Sequence, residues 1–274
     1  DPNSRTLVQG GGATGKSRLV LAGNVTFAPE RLELTGRDIG SAPIHLSNFS
    51  GSNTWTGNSI LRTGGAEYGF ESAAGKLTIT GNVVNETGNA TARTIRFAGA
   101  AAGEFAGVFQ DNTGTGPLSI RKEGPGAWTF TNPGFVYLGD TLVSGGTLAF
   151  APGISIDNSP NVEIAPGAML DVATEGLDRV VGQTLSGAGT VVGHVNLFGG
   201  TLVPDAPASP DSAATLALGS GLTLSGGVVH FDLADTATIG SGVNDLIAVT
   251  GNLSLSAPTS IAINSLAGEI ANGA

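Results

Sequence analysis

The chain has 274 residues, of which 40% are hydrophobic, only 12% are charged and 44 are glycines, a balance that excludes a disordered chain. A net charge of −10 argues against nucleic-acid binding, because an acidic surface repels phosphate. The absence of cysteine excludes disulfides and thiolate metal sites.

The first motif is a glycine-rich segment, Gly10–Ser17, which matches the phosphate-binding pattern G-x-x-x-x-G-K-[ST]. In such a loop Lys16 would contact phosphate oxygens and Ser17 a magnesium ion, provided that the loop joins a strand to a helix. Residues 18–27 alternate and contain a Gly-Asn turn, which predicts a strand in place of the helix. We therefore interpret the segment as a glycine-rich corner and predict no cofactor.

Apolar–variable–apolar triplets recur along the chain, and this alternation is typical of half-buried strands. Glycine-containing turns separate them at intervals too short for the helical crossovers of α/β proteins. The triplets are residues 32–34, 44–46, 77–79, 95–97, 118–120, 154–156, 162–164, 170–172, 195–197, 216–218, 222–224, 253–255 and 261–263. We expect their polar middle residues, including Glu33 and Arg96, to point to solvent.

The segment Lys122–Phe150 shows the pattern most clearly. Trp128 and Phe130 alternate with threonines, and Leu148 alternates with Phe150. Gly and Pro corners separate these runs, so the chain can wind into stacked coils. Because the strands are too short for a sandwich or barrel, we predict an all-β fold, a parallel β-helix (β-solenoid) with three short strands per coil and roughly a dozen coils.

An apparent repeat at an offset of 82 aligns Leu46 with Trp128 and Ile60 with Leu142, which suggests coils of about 20 residues. Helix is scarce, and the best candidate, residues 173–181, is interrupted by Gly176 and interpreted as a loop. We treat 1–274 as a single β-helix domain. Residues 1–121 form weaker repeats and 151–274 form C-terminal coils, with a proline-rich loop excursion at 203–212.

The same 122–150 segment resembles the passenger-associated transport repeat of autotransporter-like surface proteins, the autotransporter-associated β-strand repeat family. The matching pieces are Gly-x-Gly-x-Trp-Thr-Phe at 124–130, Tyr-x-Gly-x-Thr at 137–141 and Val-Ser-Gly-Gly-Thr-Leu-Ala-Phe at 143–150. The resemblance implies a right-handed parallel β-helix that is exported to the cell surface. It implies nothing about an enzymatic activity.

The three histidines, His45, His194 and His230, are far apart in the sequence. A histidine acts in catalysis or metal binding only when partners meet it in space. We expect each imidazole to face solvent or to be hydrogen-bonded locally.

Two groups of carboxylates are the main catalytic candidates: Asp171, Glu175 and Asp178, and Asp232 with Asp235. Paired acids on one face of a β-helix could act as general acid and base on a polysaccharide, or bind Ca²⁺. They could equally be solvated charges that keep an apolar solenoid soluble. We favour the last interpretation and predict no catalytic, cofactor-binding or metal-binding residue.

These observations lead us to expect a non-enzymatic extracellular structural protein, a segment of a surface-displayed or secreted fibre or adhesin stalk. Its partners would be its own copies, or polysaccharide of the cell surface or matrix. No nucleic acid and no membrane-spanning segment is expected, because no apolar run reaches about 18 residues. The protein would be exported by a signal peptide that this sequence does not include. Alternatives are a polysaccharide-acting enzyme, or a ligand-binding passenger that uses the loop at 203–212.

Overall fold

The computed structural model describes residues 4–10, 17–36, 44–62, 65–86, 90–108, 116–205, 212–235, 238–240 and 242–266. Every regular element in these ranges is a β-strand, which confirms the all-β prediction. Most of the Gly10–Ser17 motif, including Lys16, and residues 206–211 of the predicted loop excursion lie outside the described residues. Within the described ranges, the structure has no helix long and apolar enough to span a bilayer.

The chain forms two compact units, one comprising Asp1–Asp140 and Gly146–Asn158, the other Thr141–Gly145 and Ser159–Ala274. In chain order the strands are β1 (Arg5–Gly10), β2 (Leu19–Leu21), β3 (Thr26–Phe27), β4 (Arg31–Gly36), β5 (Leu46–Asn48), β6 (Ser52–Trp55), β7 (Ser59–Leu61), β8 (Glu67–Ser72), β9 (Lys76–Ile79), β10 (Val83–Asn85), β11 (Arg93–Ala98), β12 (Ala102–Phe105), β13 (Leu118–Lys122), β14 (Ala127–Phe130), β15 (Thr141–Val143), β16 (Thr147–Phe150), β17 (Asn161–Ile164), β18 (Met169–Asp171), β19 (Leu177–Val180), β20 (Thr184–Gly187), β21 (Thr190–Val192), β22 (His194–Phe198), β23 (Thr201–Val203), β24 (Thr215–Leu218), β25 (Gly221–Ser225), β26 (Val228–Leu233), β27 (Leu246–Val249), β28 (Asn252–Ala257) and β29 (Ser260–Ser265). All predicted triplets except 154–156 overlap a strand, and the predicted loop at 173–181 contains β19.

The first unit contains three parallel sheets, with strand orders β1-β4-β7-β10, β2-β5-β8-β11-β13 and β3-β6-β9-β12-β14-β16. The second unit repeats this plan, with orders β15-β17-β20-β23-β26-β29, β18-β21-β24-β27 and β19-β22-β25-β28. Successive strands of one sheet come from successive turns of the chain. Each unit is therefore a parallel β-solenoid, as predicted. Most coils contribute three strands, but the coils that begin at β11, β13 and β15 contribute fewer among the described residues.

The coils differ in length, and most are longer than predicted. In the first unit, Ser47 and its register partner Glu71 are 24 residues apart. In the second unit, the separation is 18 residues for the pair Asp178 and Asn196 and 32 residues for the pair Asp232 and Asn264. The corners absorb the variation, because the parallel ladders fix only the strands.

The apparent sequence repeat that aligned Leu46 with Trp128 is wrong as a structural repeat. Leu46 lies in β5 and is in register with Phe70 of β8. Trp128 lies in β14, in another sheet, where it is in register with Gly103. The similarity reflects the recurrent use of Gly, Thr and aromatic residues, since the offset does not correspond to a whole number of coils.

Stacked aromatic side chains fill the interior of the first unit. The predicted alternation is confirmed, because Trp128, Phe130, Leu148 and Phe150 are all buried. The Phe130 ring centroid lies 4.9 Å from that of Phe97 and 5.2 Å from that of Phe150. These separations are typical of attractive edge-on and tilted ring pairs.

The prediction that Glu33 and Arg96 point freely to solvent is wrong. The Glu33 side chain is only 3% exposed and forms ion pairs with Arg5, Arg31 and Arg62. Arg96 is buried and pairs with Glu123. Equivalent positions on adjacent strands lie about 4.8 Å apart. Opposite charges on neighbouring coils therefore form ion pairs that shield both side chains from solvent.

Glycine makes the sharp corners where successive coils touch through their backbones. Gly75 has a φ of +70°, and a Cβ on it would lie 2.0 Å from the carbonyl oxygen of Gly51 in the previous coil. No side chain fits there. The predicted role of glycine in the corners is therefore confirmed at this position.

Candidate acidic cavity

A cavity of about 320 Å³ lies in the second unit against the outer side chains of β20, β23, β26 and β29. Its described lining residues are Thr184, Ser186, Val203, Asp205, His230, Asp232, Asp245 and Asn264. We call it the acidic cavity. Its volume lies in the range of small-molecule binding sites.

Stacking of the coils brings its three aspartates together. Asp232 on β26 is in register with Asn264 on β29. Asp205 follows β23, and its carbonyl oxygen accepts the Gly187 N–H at 3.1 Å, which extends the ladder beyond the strand. Asp245 immediately precedes β27, and its N–H donates to the Asp232 carbonyl oxygen at 2.8 Å.

Hydrogen bonds give the carboxylates of Asp245 and Asp232 different roles. The Ala214 N–H donates to Asp245 Oδ1 and the Asp232 N–H to Asp245 Oδ2, both at 2.7 Å. Both oxygens of Asp245 are thus used to join neighbouring segments. Asn264 Nδ2 donates to Asp232 Oδ1 at 3.0 Å, whereas Asp232 Oδ2 is buried and has no hydrogen-bond partner among the described residues.

The cavity is an unfavourable environment for negative charge. Asp205, Asp232 and Asp245 are 5%, 7% and 7% exposed. Burial, and then the charges of Asp232 and Asp245, raise the pKa of Asp205, although His230 opposes the shift. Burial also raises the pKa of Asp245, against two backbone hydrogen bonds that lower it.

The structure separates the sequence-predicted pair Asp232 and Asp235. Asp232 lines the acidic cavity, but the Asp235 carboxylate accepts the N–H and the Oγ1–H of Thr238, both at 2.7 Å. It also accepts a hydrogen bond from Asn244 Nδ2 at 3.1 Å. Asp235 therefore organises a local turn.

The other predicted acids are engaged in local contacts or exposed. Asp171 Oδ1 accepts the Ala173 N–H at 3.1 Å, and Asp178 Oδ1 accepts a hydrogen bond from Asn196 Nδ2 at 2.7 Å. Glu175 is exposed. Among the residues that the structure describes, no group of three or more His, Cys, Asp or Glu could hold a metal ion, so the Ca²⁺ alternative gains no support here.

The histidines occupy three different settings. His45 is buried, and its Nδ1 accepts the Gly69 N–H at 3.2 Å. His194 Nε2 lies 2.8 Å from Thr223 Oγ1. His230 is exposed and lines the acidic cavity. The hydrogen bonds of the first two imidazoles run to the next coil and are not local, and the third histidine belongs to the candidate site.

Sequence reasoning missed Asp205 and Asp245 as members of the site. Asp232 and Asn264 are 32 residues apart, and Asp205 precedes Asp232 by a shorter interval, so no constant coil length aligns the three. Asp245 enters through the turn that Asp235 organises. The sequence feature that could have predicted this site is the recurrence of Asp near strand ends in neighbouring coils.

Comparisons with protein-family models, with curated proteins and with solved structures found no match to this chain. The fold and the geometry of its surfaces therefore carry the functional argument. Two surfaces stand out in the second unit: the acidic cavity and the edge of the coil formed by β27, β28 and β29.

Proposed function

We propose that this chain is a segment of a non-enzymatic extracellular structural protein, a surface-displayed or secreted fibre or adhesin stalk whose copies stack edge to edge. The observation that carries the proposal is the open coil edge formed by β27, β28 and β29. Parallel stacking is the principle by which both units are built, and an open edge extends that principle to another coil.

The open coil edge leaves inward-facing columns uncovered. Leu253 and Leu255 of β28 are in register with the buried Leu222 and Leu224 of β25. Ile261 and Ile263 of β29 are in register with the buried Val229 and the partly buried Phe231 of β26. All four side chains are exposed over more than half of their surface. The edge therefore presents aliphatic side chains beside strand backbone that pairs on one side only among the described strands.

The first unit supplies a complementary edge. Its strands β1, β2 and β3 each pair with a single described neighbour, namely β4, β5 and β6. The two open sides of a parallel ladder offer matching donors and acceptors. We commit to a second copy of this chain as the occupant of the open coil edge, because its first unit offers this matching edge.

Export is part of the proposal. The resemblance of residues 122–150 to the passenger-associated transport repeat supports it. A chain without cysteine also forms no disulfide that would lock its structure while it crosses an oxidising compartment. External protease added to intact source cells should degrade the protein. Full protection until the cells are lysed would contradict the cell-surface location, and absence from the medium would contradict secretion.

Self-association is tested by analytical ultracentrifugation and negative-stain microscopy of the full chain over a range of concentrations. We expect assemblies that grow with concentration, and expect Leu255→Lys with Ile263→Lys to remain monomeric, because two buried ammonium groups would oppose stacking. Val181→Lys is the matched control, since Val181 is 81% exposed and lies outside the edge strands. A chain that stays monomeric at all concentrations, or one whose assembly both variants weaken equally, would contradict stacking through this edge.

A further inference from the structure

The acidic cavity holds three buried carboxylates, and none of its described lining residues is a lysine or an arginine. The exposed His230 is the basic residue of the lining. A buried carboxylate is costly unless it is paired with a cation or fully hydrogen-bonded. The described lining residues therefore do not neutralise the negative charge of these carboxylates, and a cationic ligand would do so.

Asp232 shows where such a ligand would bind. Its side chain is more than nine-tenths buried and lines the cavity, and in the part of the chain that the structure describes its Oδ2 has no hydrogen-bond partner. Its other oxygen is held by Asn264 Nδ2, so the carboxylate is fixed with one acceptor available. A buried acceptor of this kind favours a ligand that donates a hydrogen bond.

The remaining lining groups define the class of donor. Both Asp245 oxygens already accept backbone N–H groups, which leaves them less acceptor capacity for a ligand. No group of three or more His, Cys, Asp or Glu among the described residues could hold a metal ion. A neutral polyol would satisfy Asp232 Oδ2 but leave the charge unbalanced. An ammonium group supplies both the charge and up to three N–H donors within a small volume.

We propose that the acidic cavity binds an organic cation through a primary ammonium group, with Asp232 Oδ2 as its principal acceptor and Asp205 as the second carboxylate. The hydroxyl groups of Thr184 and Ser186 provide further acceptors in the lining. The ammonium group can come from a small free amine or from a lysine side chain, because the recognised chemistry is the same.

Isothermal titration calorimetry of the full chain at pH 7 tests this site with 1,4-diaminobutane, with 1,4-butanediol as the neutral analogue of equal length, and with CaCl₂. We expect saturable binding of one diamine per chain and no saturable binding of the diol or of Ca²⁺. Asp232→Asn should weaken diamine binding at least tenfold. Glu175→Gln removes the same charge from the exposed Glu175 of the same unit and should leave the affinity unchanged.

A second measurement uses the unaltered chain, so it does not depend on whether a substituted chain folds. In the unaltered chain, the backbone amide signals of Asp232 and Ala214, whose N–H groups bind Asp245, should shift on addition of diamine and not of diol. Nα-acetyl-lysine amide represents a lysine side chain in the same titration. If it binds more tightly than the diamine, the natural ligand is a lysine side chain. The proposal is overturned by equal binding of diol and diamine, by preferential Ca²⁺ binding, or by equal losses in Asp232→Asn and Glu175→Gln.

Discussion

Gly103 lies directly beside the indole ring of Trp128 on the neighbouring coil. The two residues are in register in β12 and β14, and a Cβ on Gly103 would lie 2.3 Å from the ring atoms of Trp128. The indole Nε1–H donates to the Ala98 carbonyl oxygen at 3.0 Å, which fixes the ring in place. Because Gly103 has no side chain, the indole ring of Trp128 on the next coil fits into the space beside it.

We expect Gly103→Ala to lower the free energy of unfolding of the first unit by roughly 2 to 3 kcal/mol, because the added methyl overpacks a full core. Urea unfolding followed by tryptophan fluorescence measures this, since Trp55 and Trp128 both lie in the first unit. Combining it with Trp128→Leu should give less than the sum of the two losses. Gly134→Ala, whose Cβ would lie 3.2 Å from Asn132 Oδ1 and 4.0 Å from a Val108 methyl group, should cost much less. Strict additivity would refute the steric explanation.

Glu33 connects arginines from three coils, so its loss should affect the stacking of the first unit. We expect Glu33→Gln to cost about 1 to 3 kcal/mol at pH 7, a range that allows for the partial exposure of the arginines. A hydrogen bond from Arg62, together with the charges of Arg62, Arg5 and Arg31, holds the pKa of Glu33 below 4.5 despite its burial. Its stabilisation is therefore present above pH 4.5 and is lost as the pH falls through the lowered pKa.

Urea unfolding at pH 7 and at progressively lower pH should show the gap between Glu33→Gln and the unaltered chain closing on acidification. Glu104→Gln is the comparison, because Glu104 pairs with the half-exposed Lys76 and exposed pairs contribute at most about 1 kcal/mol. A gap that is independent of pH would show that Glu33 acts through packing alone.

Lys122 places an amine inside the first unit, where its Nζ donates to the carbonyl oxygens of Glu123 at 2.9 Å and Gly124 at 2.8 Å. Burial lowers its pKa from 10.5 to about 8, against the charge of Glu123. Between these values the unfolded chain binds a proton that the folded chain has released, so stability rises with pH. From pH 8 to 10 the gain should be roughly 1 to 2 kcal/mol.

Lys122→Met should remove this rise, which tryptophan fluorescence can follow in urea titrations at several pH values. The range stops at pH 10, because burial raises the pKa of Tyr68 and its ionisation destabilises the fold at higher pH. A parallel rise in both proteins would assign the effect to another group.

Asp205 should make the second unit respond to acid in the opposite sense from Glu33. Its pKa is raised by burial and by Asp232 and Asp245, with His230 opposing, so the folded chain takes up a proton before the unfolded chain does. Stability therefore increases as the pH falls through the raised pKa toward the unfolded value of 3.8. Asp205→Asn should be more stable than the unaltered chain at pH 7 and should lose this dependence.

Amide hydrogen exchange in β23 and β26 reports the stability of this region, with the rates corrected for the intrinsic effect of pH. Glu175→Gln serves as the comparison of equal charge. Exchange protection in Asp205→Asn that still increases on acidification would show that Asp205 is not the responsible group.

The alternation of apolar residues and the glycine corners were sufficient to predict short parallel strands wound in coils. Trp128, Phe130, Leu148 and Phe150 illustrate this, because inward and outward positions follow from local spacing alone. Partners along the axis could not be predicted, since they depend on the length of every intervening corner. Glu33 and Arg62 are 29 residues apart in sequence, and nothing local indicates that they meet.

The acidic cavity was the least predictable feature for the same reason. Asp205, Asp232 and Asn264 come together through connections of different length, and Asp245 arrives through a turn closed by the antiparallel bridge between Leu233 and Asn244. The sequence identified Asp232 but paired it with its neighbour Asp235. Spacing along the chain was a poor guide because contacts in a solenoid run across coils.

The unequal separation of register partners, 18 residues for Asp178 and Asn196 but 32 residues for Asp232 and Asn264, has a consequence for how such a chain can be altered. Strand pairing survives a near doubling of the connecting segments, and each doubling of a flexible loop adds only about 0.6 kcal/mol of closure entropy. A foreign epitope grafted into a corner should therefore leave the strands paired, so that the ladders would serve as a display scaffold.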